Sequence, residues 1–315
     1  MTTAVKRISQ ELVHRAHPRE ILVSPPSRDA EHRYHATTVT TDISPYYLDH
    51  HGRHRLDVLL MTEACRQAAI SAAHRYEGLP LGVAAFFNSI DVRLSNVDTL
   101  ANSSEELMIT TSMEEMKLRG DGSPKQIVYS QEAVVTGSDK PVLSSRMAVQ
   151  GVAEGRYPDL RAYQRNGSAA PTTASMRATF RRHQDTVEPD RVGRTQTANV
   201  VLAGLRRTAD GATAILDADL ANVSLFDHDY DHYPAMVLIE AGRQLALACT
   251  ERPVDWIISG CRAEFPGFAE LDTQTAVVAR QHGDEVEVVC RQNDVVVTEM
   301  WFELASMVTS VVGRS

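Results

Sequence analysis

The amino-acid sequence predicts an α+β protein made of two copies of one unit, each a long buried helix enclosed by an antiparallel sheet. Three observations support this fold class: an internal repeat, two helical stretches that are apolar on nearly every face, and β-rich runs around both. The chain has 315 residues, more than the roughly 100–200 residues of one typical domain. We therefore expect a first lobe of residues 10–154, a linker of residues 155–190 and a second lobe of residues 191–305.

The internal repeat is strongest where an Asp-His pair precedes an apolar run. Residues 48–67 read LDHHGRHRLDVLLMTEACRQ and residues 226–244 read FDHDYDHYPAMVLIEAGRQ, so a single one-residue gap aligns them. Polar positions match together with apolar ones. A chance similarity between two helices would not explain that match.

Each copy contains a stretch that is apolar nearly all round and rich in Ala, which is typical of a buried helix that neighbouring strands approach closely. We predict central helices over Asp57–Tyr76 and Met236–Cys249. Runs of Val, Ile and Thr separated by turn residues predict strands on both sides of each helix. The predicted strands are Tyr34–Asp42, Gly82–Leu94, Glu106–Lys117, Gln126–Thr136 and Val142–Val152 in the first lobe, and Gln196–Arg207, Thr213–Val223, Asp255–Glu264, Gln274–Gln281, Glu285–Arg291 and Val295–Leu304 in the second.

A sheet wrapped around a central helix is the hotdog fold, and two copies in one chain form a double hotdog. Pairing the two sheets edge to edge would also cover their exposed strand edges. The stretch Gly155–Asp190 is rich in Pro, Ser and Thr without sustained periodicity, which favours a linker. Its arginines Arg177, Arg181 and Arg182 are expected to be solvated.

Charge and composition exclude several classes of protein. The chain has 32 Lys and Arg against 41 Asp and Glu, a net charge of −9, whereas nucleic-acid-binding proteins usually need a basic surface. No stretch approaches the roughly 20 apolar residues of a membrane span, and the first residues lack the apolar core of a signal peptide. Four scattered cysteines favour neither a disulfide framework nor a zinc site. We expect a reduced, cytoplasmic protein with no nucleic-acid or membrane partner.

Polar side chains interrupt both buried helices at the same spacing. Glu63, Arg66 and Gln67 share one helical face, and so do Glu240, Arg243 and Gln244. A buried Glu and Arg are costly unless they are paired. Taken alone, the pattern fits a structural ion pair and a catalytic site equally well.

The loop before the second helix favours a functional site over a structural ion pair. His228, Asp231 and His232 precede Pro234, a natural first residue of a helix, so they should lie beside a helix N-terminus that suits a phosphate or an oxyanion. The spacings His228-x-x-x-His232 and His50-x-x-x-His54 suggest a metal, but His228 and His232 precede a proline rather than share a helix face. We expect no metal and no cofactor. Cys65 is replaced by Gly242 in the other copy, which favours packing over nucleophilic catalysis.

These residues resemble the A-factor biosynthesis (γ-butyrolactone synthase) family of actinobacterial hotdog proteins. The most specific part is FDHxxDHxPxMVxIEAxRQ at residues 226–244, and the resemblance spans roughly residues 10–152 and 190–305. The first copy has Arg55-Leu56-Asp57 where His232-Tyr233-Pro234 stand in the second, so we expect the second lobe to hold the fuller site.

The resemblance implies an acyltransferase that joins a β-ketoacyl thioester to dihydroxyacetone phosphate. The product would cyclise towards a butenolide, a precursor of γ-butyrolactone or furan signals that control antibiotic production. It further implies that the donor is carried by acyl carrier protein or coenzyme A. The sequence leaves open whether the protein is a homodimer.

The residue chemistry suits this reaction, which needs a base at the hydroxyl and donors around the thioester oxygen. Glu240, desolvated on its helix, is expected to have a raised pKa and to act as the base, while Arg243 holds the phosphate. Gln244, Gln67 and Asp231 are expected to help bind the substrates, with His228 and His232 at the reacting groups. Glu63 and Arg66 would contribute from the other lobe or anchor it.

Two other functions remain open at this stage. A hotdog thioesterase or dehydratase would use a similar helix Glu, although the Arg-Gln pair and the Asp/His-rich loop make dehydration a poorer fit. A non-catalytic acyl-binding protein is the second alternative. An acyl-sensing regulator would usually show a helix-turn-helix and a basic face, and the sequence shows neither.

Overall fold

The computed structural model describes residues 6–50, 57–95 and 106–307. Within these residues twelve strands form one antiparallel sheet, and two long helices are packed in its two halves. The strands are β1 Ser27–Ala30, β2 Arg33–Thr37, β3 Val83–Leu94, β4 Leu107–Leu118, β5 Pro124–Val135, β6 Pro141–Ala153, β7 Leu202–Arg207, β8 Gly211–Leu216, β9 Trp256–Glu264, β10 Ala276–His282, β11 Glu285–Gln292 and β12 Val295–Ser306. The helices are α1 Val58–Tyr76, α2 Tyr157–Gln164, α3 Thr173–Met176 and α4 Ala235–Cys249.

The two half-sheets meet edge to edge, as the sequence predicts. The strand order is β1-β2-β4-β5-β6-β3-β9-β12-β11-β10-β8-β7. The central pair is β3 and β9, which run antiparallel with Ser89 opposite Glu264 and Arg93 opposite Gly260. This architecture is a double hotdog, because each half-sheet encloses one long helix.

Both predicted central helices are confirmed, with small shifts at their N-termini. Helix α1 begins at Val58, and the Asp57 side chain caps it by accepting a hydrogen bond from the Leu60 amide at 2.9 Å. Helix α4 begins at Ala235, so Pro234 is its N-cap residue and not its first helical residue. Gly242 lies against the sheet so closely that a Cβ atom would be 2.7 Å from the Met300 methyl carbon. Its counterpart Cys65 is fully buried.

Every predicted strand run contains a strand, but three runs are too long. Tyr34–Asp42 ends as a strand at Thr37, with one further bridge from Thr38 to Val23. Thr213–Val223 ends as a strand at Leu216, and Gln196–Arg207 begins as a 3-10 turn before β7. Strand β1 was not predicted, since all four of its residues are exposed and show no alternation.

The expectation of a solvated linker is wrong for much of residues 155–190. This segment forms α2 and α3 and packs against the second lobe. Arg182 forms a salt bridge with Asp217 at 3.2 Å and donates to the Val200 carbonyl at 2.7 Å. Arg177 donates to the Leu220 carbonyl at 3.0 Å, whereas Arg181 is exposed. Composition indicated the absence of long regular elements here, but it carries no information about such side-chain contacts to a distant backbone.

Candidate active site

Each central helix carries a buried carboxylate held by two arginines and one glutamine. In the first lobe Glu63 accepts from Arg15 at 2.9 Å, from Arg66 at 2.8 and 2.7 Å, and from Gln67 at 2.7 Å. In the second lobe Glu240 accepts from Arg194 at 2.7 Å, from Arg243 at 2.7 and 3.1 Å, and from Gln244. We call these groups the Glu63 cluster and the Glu240 cluster.

The expected raised pKa of Glu240 is wrong. Burial alone would raise it, but Arg194 and Arg243 together lower the pKa of this carboxyl to about 2. The same balance of burial against Arg15 and Arg66 lowers the pKa of Glu63 to about 2. Both side chains have no exposed surface. A carboxylate bound in this way is a poor proton acceptor, so the geometry favours an anchoring role for both.

The two glutamines join the central helices to the chain segments that precede the sheets. Gln67 accepts from the Leu22 amide at 2.8 Å and donates to the Glu20 carbonyl. Gln244 accepts from the Val201 amide at 3.0 Å and donates to the Asn199 carbonyl at 2.8 Å. These bonds satisfy backbone groups that would otherwise be buried without partners. Gln67 and Gln244 therefore hold these backbone segments in place, and neither side chain lines the cavity described below.

Arg15 and Arg194 were missed by the sequence analysis. They occupy equivalent places in the two lobes, each just after a short 3-10 turn whose cap residue is left-handed. A shared Val-x-Arg pattern, Val13-His14-Arg15 and Val192-Gly193-Arg194, was the available signal. It is too short to detect unless the repeat is extended upstream of the Asp-His pair.

The Asp-His loop of each lobe lies against the cluster of the other lobe. Asp227, from the second lobe, accepts from the Ala16 amide at 2.8 Å and from Arg15 at 3.4 Å. Asp49, from the first lobe, accepts from the Thr195 amide at 2.9 Å and from Asn199 at 2.7 Å. A site formed near either cluster therefore uses residues of both lobes.

A cavity of about 650 Å³ lies where the second-lobe loop meets the Glu63 cluster. Of the predicted site residues, the structure brings Arg66, His228, Asp231 and His232 together on its wall, with Arg15 and His14 beside them. The predicted residues Glu240, Arg243, Gln244, Glu63 and Gln67 do not line it. The predicted site residues that line the cavity thus come from the first-lobe helix and the second-lobe loop.

The Glu240 cluster is closed off because both of its arginines are buried, Arg194 to 1% and Arg243 to 4% exposure. Arg194 donates to the carbonyl oxygens of Tyr46 and Asp49, both at 2.7 Å, and lies over the Tyr46 ring. In the Glu63 cluster the equivalent side chains are more exposed, Arg15 to 7% and Arg66 to 15%. Arg66 is therefore the more accessible cation, although both clusters contain the same residue types.

Two Asp-paired histidines face this cavity. His228 Nδ1 lies 2.7 Å from Asp227, and His232 Nδ1 lies 2.6 Å from Asp231. Since a carboxylate accepts the Nδ1 proton, Nε2 of each ring remains available to a substrate. Asp231 also accepts from Tyr157 at 2.6 Å and from Arg161 at 2.8 Å, which couples its position to α2.

The lining of the cavity has a polar part and an apolar part. Arg15, Arg66 and His14 belong to the polar part. The apolar wall is formed by Phe86, Phe87, Leu160, Met236, Phe265 and Phe268. His232 stands at this wall, edge-on to Phe268 with ring centroids 4.7 Å apart. A ligand with an anionic head and an apolar tail matches this division.

Comparisons with known proteins agree with the resemblance drawn from the sequence. The family model described as "A-factor biosynthesis hotdog domain" matches residues 1–141 and 176–307. The chain belongs to this family. A 2-oxo-3-(phosphooxy)propyl 3-oxoalkanoate synthase of Streptomyces coelicolor is 31% identical to the chain, with 76% of this chain and 71% of that protein covered. A protein of the same name from Streptomyces virginiae is 28% identical, with 94% of this chain and 96% of that protein covered.

Solved structures support the family's fold independently. The chain superposes with a TM-score of 0.51 on the 12:0-ACP thioesterase from Umbellularia californica, with 10% identity, 89% of this chain and 100% of that chain covered. An acyl-ACP thioesterase from Bacteroides thetaiotaomicron gives the same TM-score with 12% identity, covering 87% of this chain and 98% of that one. At such low identity these likenesses establish the double hotdog architecture alone.

Some predictions concern residues or groups that the structure leaves untested. His54 and the Arg55-Leu56 departure of the first copy lie outside the described residues. In the described ranges no three His, Cys, Asp or Glu side chains are placed to hold a metal ion, and the absence of a metal stays a prediction. No helix among the described residues is long and apolar enough to cross a membrane.

Proposed function

We propose that this protein transfers a 3-oxoacyl group from a thioester to the free hydroxyl of dihydroxyacetone phosphate. The 2-oxo-3-(phosphooxy)propyl part of the relatives' name is the alcohol portion of such an ester, and the 3-oxoalkanoate is its acid portion. The observation that carries the proposal is the cavity lining, which combines two arginines, two Asp-paired histidines and an apolar wall.

Arg15 and Arg66 are proposed to bind the phosphate, in place of Arg243. Arg66 uses Nε and Nη2 for Glu63 and the Val13 carbonyl, and its Nη1 donates to none of the described residues. Arg15 likewise has no partner for Nη2 within those residues. Guanidinium groups with free donors suit phosphate oxygens, and Glu63 holds both in position.

The apolar wall is proposed to receive the acyl chain, with the thioester at the loop histidines. In the reaction the hydroxyl oxygen bonds to the thioester carbonyl carbon, the C–S bond breaks, and the thiolate leaves. His228 and His232 can donate from Nε2 when protonated, to the developing oxyanion or to the departing sulfur. Each imidazolium is then stabilised by its aspartate.

The decisive experiment is incubation of the purified protein with a short series of β-ketoacyl thioesters, with and without dihydroxyacetone phosphate. Mass spectrometry should find the phosphorylated ester or its cyclised product only when both substrates are present. Release of free acid at the same rate without the acceptor would instead identify a thioesterase. Binding of the thioester without turnover would identify a non-catalytic acyl-binding protein.

The loop histidines are tested in the same assay. His228→Gln and His232→Gln should each lower kcat for transfer by about a hundredfold or more, because each removes a group at the reacting atoms. His282→Gln is the control, since His282 is exposed at the β10–β11 turn, away from the cavity. Unchanged kcat in both loop variants would contradict the assignment.

The wider setting is part of the proposal. The ester would be a precursor of a γ-butyrolactone- or furan-type signal, made in the cytoplasm from an acyl donor on acyl carrier protein or coenzyme A. All four cysteines are free thiols, in keeping with a reducing compartment. The sequence leaves open whether the protein is a homodimer, and sedimentation of the purified protein measures its oligomeric state.

A further inference from the structure

His14 departs from the internal repeat at the wall of the cavity. It and its counterpart Gly193 each follow a short 3-10 turn, and both are left-handed, with φ of 52° and 70°. This conformation suits glycine but costs other residues about 1–2 kcal/mol. At Gly193 a Cβ atom would lie 2.5 Å from Leu247, whereas the first lobe carries an imidazole here and places it on the cavity wall. Strain of this kind points to a function.

A chain of hydrogen bonds determines which nitrogen of His14 is protonated. Nδ1 of His74 lies 2.8 Å from the Leu79 carbonyl oxygen, which can only accept, so Nδ1 carries the proton and Nε2 of His74 is an acceptor. Nε2 of His14 lies 2.8 Å from Nε2 of His74 and must therefore donate a hydrogen bond to it. The lone pair of His14 is thus on Nδ1, which bonds to no other described residue.

The groups around His14 keep its imidazole neutral. Burial, then Arg66, His74 and His228, lower the pKa of His14 to about 4. Arg15 adds a second guanidinium beside it, and the nearby carboxylates of Glu63 and Asp227 are already bound by these arginines. Tyr230 donates to Asp227 and adds no charge. A dianion bound between Arg15 and Arg66 would offset part of this positive field.

We propose that His14 takes the proton of the attacking hydroxyl, and that the phosphate of the same substrate, bound by Arg15 and Arg66, makes this histidine a stronger base. The proposal rests on the proposed function and assigns one step of it. As the hydroxyl oxygen bonds to the thioester carbon and the thiolate leaves, the hydroxyl proton passes to His14 Nδ1. Without a phosphorylated acceptor the base stays weak, which protects the thioester from attack by water.

The coupling between phosphate and base is measured without turnover. Histidine-labelled protein is titrated by NMR in sodium sulfate and in sodium chloride of equal ionic strength, because the charge of sulfate stays constant over the titration. The His14 signal, assigned by its loss in His14→Gly, should titrate about one pH unit or more higher in sulfate. An unchanged midpoint, or no binding of sulfate, would overturn the proposal. This result is independent of whether acyl transfer occurs.

The catalytic part is tested with His14→Gly, which copies the residue that the second lobe uses. Glycine suits the left-handed backbone, so the melting temperature should stay the same or rise, while kcat for transfer falls by about a hundred- to ten-thousandfold. Added imidazole should restore part of the rate. Full kcat in this variant would overturn the role of His14 as the base. A lower melting temperature, with a rate that falls only as much as the folded fraction of the protein, would overturn it as well and assign His14 to packing.

Discussion

Arg66 and Arg243 occupy equivalent positions and pair with equivalent glutamates, so they form a matched test of the phosphate site. Replacing either with Lys keeps the charge but loses the planar fork. Arg66→Lys should raise KM for dihydroxyacetone phosphate by about ten- to a hundredfold, as expected for one charge-assisted contact of about 1.5–3 kcal/mol. Arg243→Lys should lower the melting temperature and change both substrate constants alike. An equal rise of the acceptor KM in both variants would exclude a specific role for Arg66.

The buried glutamates also make the stability of the protein depend on pH in a defined direction. Their pKa values lie at about 2 in the folded chain, below the ordinary value of 4.5. A depressed pKa contributes stability that is complete above the unfolded value and is lost as the pH falls from about 4.5 towards 2. Urea unfolding at a series of pH values should therefore show a falling free energy of unfolding below about pH 4.5.

Glu240→Gln separates this effect from general acid denaturation. At neutral pH the variant should lose about 3–5 kcal/mol, since Arg194 and Arg243 would remain buried without their carboxylate. Its stability should then fall less steeply between pH 4.5 and 2 than that of the unchanged protein. A parallel pH dependence in both proteins would show that Glu240 is not the titrating group.

At the level of single elements, ion pairs hold α2 in place beside the cavity. Arg161, only 5% exposed, forms salt bridges with Asp231 at 2.8 Å and Glu270 at 2.7 Å. Arg161→Gln should loosen α2, raise KM for the thioester by about tenfold, or ~1.4 kcal/mol, and speed amide exchange in residues 157–164. Arg156→Gln, at an exposed arginine just before the same helix, is the control. Unchanged exchange in Arg161→Gln would show that these ion pairs do not hold α2.

The elements differ in how much of them the sequence could reveal. Both central helices could be predicted because their apolar residues repeat over several turns and recur in two copies. Glu63 and Arg66 could be found because they share a helical face. Arg15 could not, since its partner Glu63 lies 48 residues away along the chain and its own segment has no periodicity. The assignment of the phosphate contact to Arg66 and not Arg243 depends on which loop packs against which lobe. The repeat in the sequence carries no information about that packing.

At the scale of the whole molecule the two lobes share an apolar core and a strand pairing, which two independent domains would lack. One apolar core runs through both lobes, from Ile8 to Leu304, and β3 pairs with β9 across their boundary. Ser224 of the second lobe donates to Glu20 of the first at 2.7 Å. Because the cavity also uses residues of both lobes, we expect the lobes to unfold as one cooperative unit.

The positions of the tryptophans allow this cooperativity to be tested directly. Trp256 and Trp301 are the two tryptophans of the chain, and both lie in second-lobe strands. Glu63→Gln removes a carboxylate of the first-lobe helix and leaves Arg15 and Arg66 without it. If the lobes unfold together, this change should lower the midpoint of the tryptophan-fluorescence transition as much as that of the far-ultraviolet circular dichroism transition. A fluorescence midpoint that stays in place while the dichroism curve splits into two steps would show that the second lobe is stable without the first, and that the shared core contributes little to it.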